Sequence, residues 1–129
     1  MIMQRVFRTR SFNRSLRRTA LGDEALCRAV DEMRRGLVGA DLGGGIFKKR
    51  VRLPGLGKSG SVRTIIAAPR GSSWFFLFGY EKNERATISG TERDALQLYA
   101  SEFLGMSSTQ LDRAVKCGDL QEICHDKDI

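Results

Sequence analysis

Between Ile46 and Lys82 the chain carries three apolar, β-branched or aromatic runs: Ile46 to Leu53, Val62 to Ala68, and Trp74 to Lys82. Only short glycine-, proline- and serine-rich links separate them. Parallel neighbours need a crossover of a dozen or more residues, which these links cannot supply. The runs are therefore predicted to form an antiparallel meander. The first run alternates clearly enough to assign faces. Phe47, Val51 and Leu53 share one side, and Lys48, Arg50 and Arg52 share the other. In the third run the same two-residue period puts Trp74, Phe76, Phe78 and Tyr80 together, as core.

The flanks read as helices around a short first strand, Gln4 to Arg8 with Val6 inward. Ser11 is placed to cap a helix over Phe12 to Thr19. From Asp23, the residues Leu26, Ala29, Val30, Met33 and Leu37 make one apolar stripe at helical spacing. A loop with Gly36, Gly39, Gly43, Gly44 and Gly45 ends it. After the meander, Thr91 begins a helix carrying Leu96, Tyr99, Ala100, Phe103 and Leu104, stopped by Gly105. Ser107 and Gln110 have capping-box spacing before a last helix that ends at Gly118. The outline is one α+β domain with helices packed on an antiparallel sheet.

Charge is distributed unevenly. The 129 residues hold 22 Lys+Arg and 15 Asp+Glu, a net of +7. From Leu42 to Tyr80 there is no acidic residue, while Lys48, Lys49, Arg50, Arg52, Lys58, Arg63 and Arg70 all fall there. Converging cations repel one another, so such a cluster calls for an anion. Nucleic acid is the leading candidate, with an acidic protein or an anionic membrane surface as alternatives. No apolar run approaches the ~20 residues of a membrane-spanning helix. The basic N-terminus lacks the apolar stretch of a secretory signal. The expectation is a cytoplasmic protein whose three cysteines, Cys27, Cys117 and Cys124, are reduced thiols.

Several familiar chemistries do not fit. Gly57-Lys58-Ser59 suggests a phosphate-binding loop, but the required upstream glycine is Arg52 and a strand follows where a helix is needed. Gly55, Gly57 and Gly60 spell a dinucleotide-type glycine pattern that fails on the same missing helix. The basic segment has no carboxylate to hold Mg²⁺. Cleavage of RNA by its own 2′-hydroxyl needs a base, charge stabilisation at the phosphorane, and an acid for the leaving oxygen. The histidine pair often used for this is missing, since His125 stands alone near the C-terminus. Lysines crowded by other cations can move protons, and arginines can stabilise the phosphorane.

The segments Lys48-Lys49-Arg50-Val51, Gly57-Lys58-Ser59-Gly60, Arg63-Thr64-Ile65-Ile66-Ala67 and Phe75-Phe76-Leu77-Phe78-Gly79-Tyr80, followed by Lys82-Asn83-Glu84-Arg85, stand in a suggestive order. In that order and spacing the chain resembles the RelE/HigB-like toxins of bacterial type II toxin–antitoxin modules, within the RelE/ParE superfamily. The likeness covers roughly residues 3 to 105. It implies a single RelE-like toxin domain over 1–129, with a core at 3–105 and a helical C-terminal extension at 107–129. The implied sheet is a short N-terminal strand plus the three-strand meander, with two N-terminal helices and the C-terminal helices packed on it. The implied activity is ribosome-dependent mRNA cleavage without a metal or other cofactor. The implied partners are mRNA on the ribosome and a cognate antitoxin with a helix-turn-helix DNA-binding domain, without a membrane. Carried onto this chain, Lys48, Arg50, Arg63 and Lys82 are the catalytic candidates. Lys49, Arg52, Lys58 and Arg85 are the candidates for binding RNA phosphate. Some relatives place a Tyr or His just after the last strand. Here Ala86, Thr87, Ile88 and Ser89 stand there, so the resemblance assigns no general base. Two alternatives share the fold: a ParE-like toxin that binds a protein such as gyrase, and a basic RNA-binding module without cleavage.

Overall fold

In the computed structural model the described residues are 4–17, 19, 21–53, 61–68 and 73–125. In chain order they form β1 (Arg5–Thr9), α1 (Arg10–Ser15), α2 (Asp23–Arg34), β2 (Ala40–Gly43), β3 (Ile46–Arg52), β4 (Ser61–Ala67), β5 (Ser73–Glu81), α3 (Gly90–Leu104), α4 (Ser108–Lys116) and β6 (Leu120–Ile123). The strands make one sheet in the order β2-β3-β4-β5-β1-β6. The β3–β4–β5 meander is antiparallel throughout. β1 lies parallel to β5 and antiparallel to β6. The fold is the expected α+β domain, with more strands than the sequence suggested.

Helices cover the sheet from both sides. On one face α1 and α2 bury Phe12, Leu26, Val30 and Met33 against Val6, Val51, Val62, Ile66 and Phe76. On the other, Ala100 and Phe103 of α3 and Leu111 and Ala114 of α4 pack on Phe7, Ile46, Ile65, Phe75 and Leu77. The stripe predicted for the second helix is buried through Met33, but α2 ends at Arg34 and leaves Leu37 exposed. Thr9, not Ser11, caps α1. Its hydroxyl accepts from the Phe12 amide and donates to the Phe76 carbonyl, so a fully buried polar group is satisfied on both counts. Two capping boxes, Ser89 with Glu92 and Ser107 with Gln110, start α3 and α4.

Three expectations change. The loop after α2 contains β2, which folds back on β3 through a tight turn with Gly43, Gly44 and Gly45 all at positive φ. The tail after α4 is not wholly helical. β6 pairs with β1, and Arg5 anchors it by donating to Glu122 at 2.9 Å while also pairing with Asp112 on α4 at 2.8 Å. The cysteine reading is overturned as well. Cys27 on the buried face of α2 and Cys124 just past β6 form a disulfide, with Cα atoms 5.6 Å apart and a sequence separation of 97. Only the fold brings them together. Cys117 remains a free, exposed thiol. Among the described residues no helix is long and apolar enough to cross a membrane.

Candidate active site

The face of the sheet under α3 changes character along its strands. Cross-strand partners share a face, so the registers of β3, β4 and β5 stack as rows. Ile46, Ala67 and Phe75 make the first row, and Lys48, Ile65 and Phe78 the next. Arg50, Arg63 and Tyr80 make the third, and Arg52 and Ser61 the last. Helices bury the first row, whereas Arg50 is exposed and Arg63 half-buried. The cation face read from alternation is therefore the open end of a face whose other end is core.

At the centre Arg50 and Arg63 are direct cross-strand partners. Like charges so placed are destabilising unless solvent or an anion lies between them. Among the described residues no carboxylate lies within ion-pair reach of Lys48, Arg50, Arg52, Arg63 or Lys82. Elsewhere Arg5, Arg8, Arg34, Lys49 and Arg85 all have one. Arg63 is further oriented by donating from Nη1 to the Ser61 hydroxyl at 3.2 Å. A planar guanidinium held this way can present two parallel donors to a phosphate.

Tyr80 is buried, as the sequence led one to expect, but on the other face of the sheet. A two-residue period puts it with Trp74 and Phe76, which do face α1 and α2. The register shifts between Ile65 and Ile66, so Leu77 is an extra residue in β5 and the parity inverts beyond it. Phe78 and Tyr80 consequently lie on the opposite face, next to Ile65 and Arg63. Gly79 then faces the helices. A Cβ there would run into the Leu16 side chain, which explains the glycine. The Tyr80 hydroxyl is enclosed, facing Thr87 without a well-formed hydrogen bond among the described residues. Burial holds the phenol above its ordinary range, and nearby Arg63 opposes that shift.

Arg85 covers this tyrosine, its guanidinium carbon 5.6 Å from the ring centre. It also grips Glu92 through both terminal nitrogens and donates from Nε to the Thr87 carbonyl at 3.1 Å. Glu92 is the capping-box residue of α3. The Arg85 contact, helped by the Ser89 amide, lowers the Glu92 carboxyl to about 2. Arg85 thus joins the start of α3 to the third row, with its charge already matched.

The other candidates fall in different places. Lys48 lies on the same face one row inward, and Arg52 one row outward. Lys82 sits in the exposed turn just past β5. Lys49 points to the opposite face, where Nζ meets Glu32 of α2 at 2.8 Å and the Leu37 carbonyl at 2.9 Å. The fold does not bring it to the basic row. Lys58 and its glycine loop lie outside the described residues. His125 is exposed and contacts the Glu122 carbonyl at its own chain end.

Fold and site together describe a small α+β domain that presents a basic, phosphate-suited sheet face. A family model described as the RelE toxin of the RelE/RelB toxin–antitoxin system matches residues 4–123, and the chain belongs to that family. It is therefore a toxin of the toxin–antitoxin kind, a family whose members pair with cognate antitoxins. No curated protein matches the chain.

Proposed function

We propose that this toxin is a ribosome-dependent, metal-independent mRNA endoribonuclease, acting in the cytoplasm on the open end of its sheet. The observation that carries this reading is the opposed pair Arg50 and Arg63, held on one open face with no carboxylate among the described residues to neutralise it. A scissile phosphate between them would replace a repulsion with two charge-assisted contacts. As the 2′-oxygen attacks, the phosphorane gains negative charge, and an oriented guanidinium stabilises that charge more than it does the ground state. Arg63 is assigned this role because Ser61 and Tyr80 constrain it on either side. Lys48 and Lys82 flank the row from the inner strand position and the turn, and they serve the attacking and leaving oxygens. Arg52 continues the track for the neighbouring phosphate, and Lys58 adds affinity from its loop. Lys49 and Arg85 are engaged by Glu32 and Glu92, so their part is support: Arg85 steadies Tyr80, and Lys49 ties β3 to α2. The antitoxin, carrying a helix-turn-helix domain, covers this face.

The test is to add the purified chain to ribosomes programmed with a defined mRNA, with EDTA present. Cleavage within the message is expected. Intact mRNA together with inhibited DNA supercoiling would favour a gyrase-directed toxin. RNA retention without cleavage would favour a binding module. Either outcome contradicts the proposal.

A further inference from the structure

Two helices of this protein start with the same device and a different residue. The capping box of α4 is Ser107 with Gln110, and that of α3 is Ser89 with Glu92. Gln110 Oε1 accepts from the Ser107 amide at 2.8 Å, and Glu92 Oε1 accepts from the Ser89 amide at the same distance. The serine hydroxyls accept in return from the amides of Gln110 and Glu92. A neutral side-chain amide thus completes the box in α4 as a carboxylate does in α3. The charge at position 92 is not what the cap requires.

That charge has a second occupation. Glu92 Oε2 accepts from Arg85 Nη1 at 2.9 Å, and Oε1 accepts from Nη2. This is the bidentate pairing of a carboxylate with a planar guanidinium, which fixes orientation as well as charge. The Thr87 carbonyl takes the Arg85 Nε–H at 3.1 Å, and the Tyr80 ring lies against the guanidinium. These contacts fall where the backbone offers little order of its own. Residues 82–89, between β5 and α3, form neither helix nor strand. The segment carries Lys82 at its start and closes over the Tyr80 hydroxyl at Thr87. Arg85 ties it to Glu92, which sits in the first turn of a helix of 15 residues.

We propose that Glu92 is a positioning residue of the site: it holds Arg85 over Tyr80, and so steadies the row in which Tyr80 stands beside Arg63. Its kinetic consequence rests on the nuclease reading. A loosened row would misplace the Arg63 guanidinium against the phosphorane, and small misplacements are costly in rate. Affinity for RNA would be left to the exposed Arg50 and Arg52.

The experiment uses the full chain as wild type, Glu92→Gln, Glu92→Asp, Arg85→Gln, the double variant Glu92→Gln/Arg85→Gln, and Ser89→Ala, with the fold of each checked by circular dichroism. Cleavage on programmed ribosomes is resolved into kcat and KM. NMR follows exchange of the Arg85 Nε–H and the flip rate of the Tyr80 ring. Glu92→Gln keeps a side chain able to cap, and it should lower kcat about tenfold at unchanged KM. Its Arg85 Nε–H should exchange faster and its Tyr80 ring flip faster. Arg85→Gln should lose at least as much, and the double variant no more than the poorer single, as for two residues acting as one unit. Glu92→Asp, with the charge on a shorter stem, should recover part of the rate. Ser89→Ala removes the hydroxyl half of the cap and spares the ion pair, so it should melt lower and keep the wild-type kcat. Wild-type kcat in Glu92→Gln, additive losses in the double variant, an equal kcat loss in Ser89→Ala, or unchanged NMR behaviour in Glu92→Gln would each overturn the proposal. A wild type that leaves mRNA intact would count against the nuclease reading, and the NMR measurements would then decide the positioning role by themselves.

Discussion

Two ends of one sheet face are built from the same three strands and treated oppositely. At one end Ile46, Ala67 and Phe75 lie under Ala100 and Phe103, and the strands serve as core. A few residues further along, Arg50 and Arg63 face each other in the open. The closed end supplies stability. The open end accepts repulsion between like charges, which packing elsewhere must offset. A change at the closed end should therefore act through folding, and a change at the open end through chemistry.

The largest effect should come from the closed end. Phe75→Ala removes a fully buried ring stacked between Phe7 and Phe103. It should cost about 3–5 kcal/mol, read as a lower urea midpoint at unchanged slope. Opening the Cys27–Cys124 bridge frees a closure spanning 97 positions. Cys124→Ser should lose about 2–5 kcal/mol, and adding reductant to the wild type should reproduce that loss. Cleavage per folded molecule should not change in either case. If it fell while the fold held, the separation of roles would be wrong.

At the open end the signs differ. Tyr80→Phe deletes an enclosed hydroxyl that lacks a well-formed partner. Stability should hold or rise, by up to about 1 kcal/mol, while cleavage falls because Arg63 loses its polar neighbour. Arg50→Gln should move stability by less than about 0.5 kcal/mol and weaken RNA binding. The smallest effect is read by titration into acid. Glu92 falls from an ordinary 4.5 to about 2 on folding, so its contribution is complete above pH 4.5 and is lost as pH drops toward 2. Glu92→Gln should flatten the pH dependence of stability in that window, with the variant slightly less stable than the wild type at neutral pH and the difference vanishing toward pH 2.

How far these two ends could be read from the chain depends on the range of each interaction. The alternation of Phe47, Val51 and Leu53 against Lys48, Arg50 and Arg52 is local, and it survives intact in β3. The capping box of Ser107 and Gln110 is local too, and it is present. Tyr80 was misplaced because one inserted residue, Leu77, inverts every face assignment after it, and a bulge leaves no mark in a run of aromatics. Lys49 sits among cations in sequence, yet its partner Glu32 lies on another element. The disulfide and β6 depend on contacts between chain ends, which no local pattern encodes.

The central claim is that Arg63 stabilises the transition state and does little for the fold. The direct measurement is the single-turnover rate of mRNA cleavage on programmed ribosomes for the wild type, Arg63→Ala and Arg63→Lys, each shown by thermal melting to be folded. Arg63→Ala should lose about 10²–10³ in rate, as expected on removing an oriented donor. Arg63→Lys should recover only part, because a point charge cannot replace the planar fork. Wild-type cleavage by a folded Arg63→Ala would contradict the account.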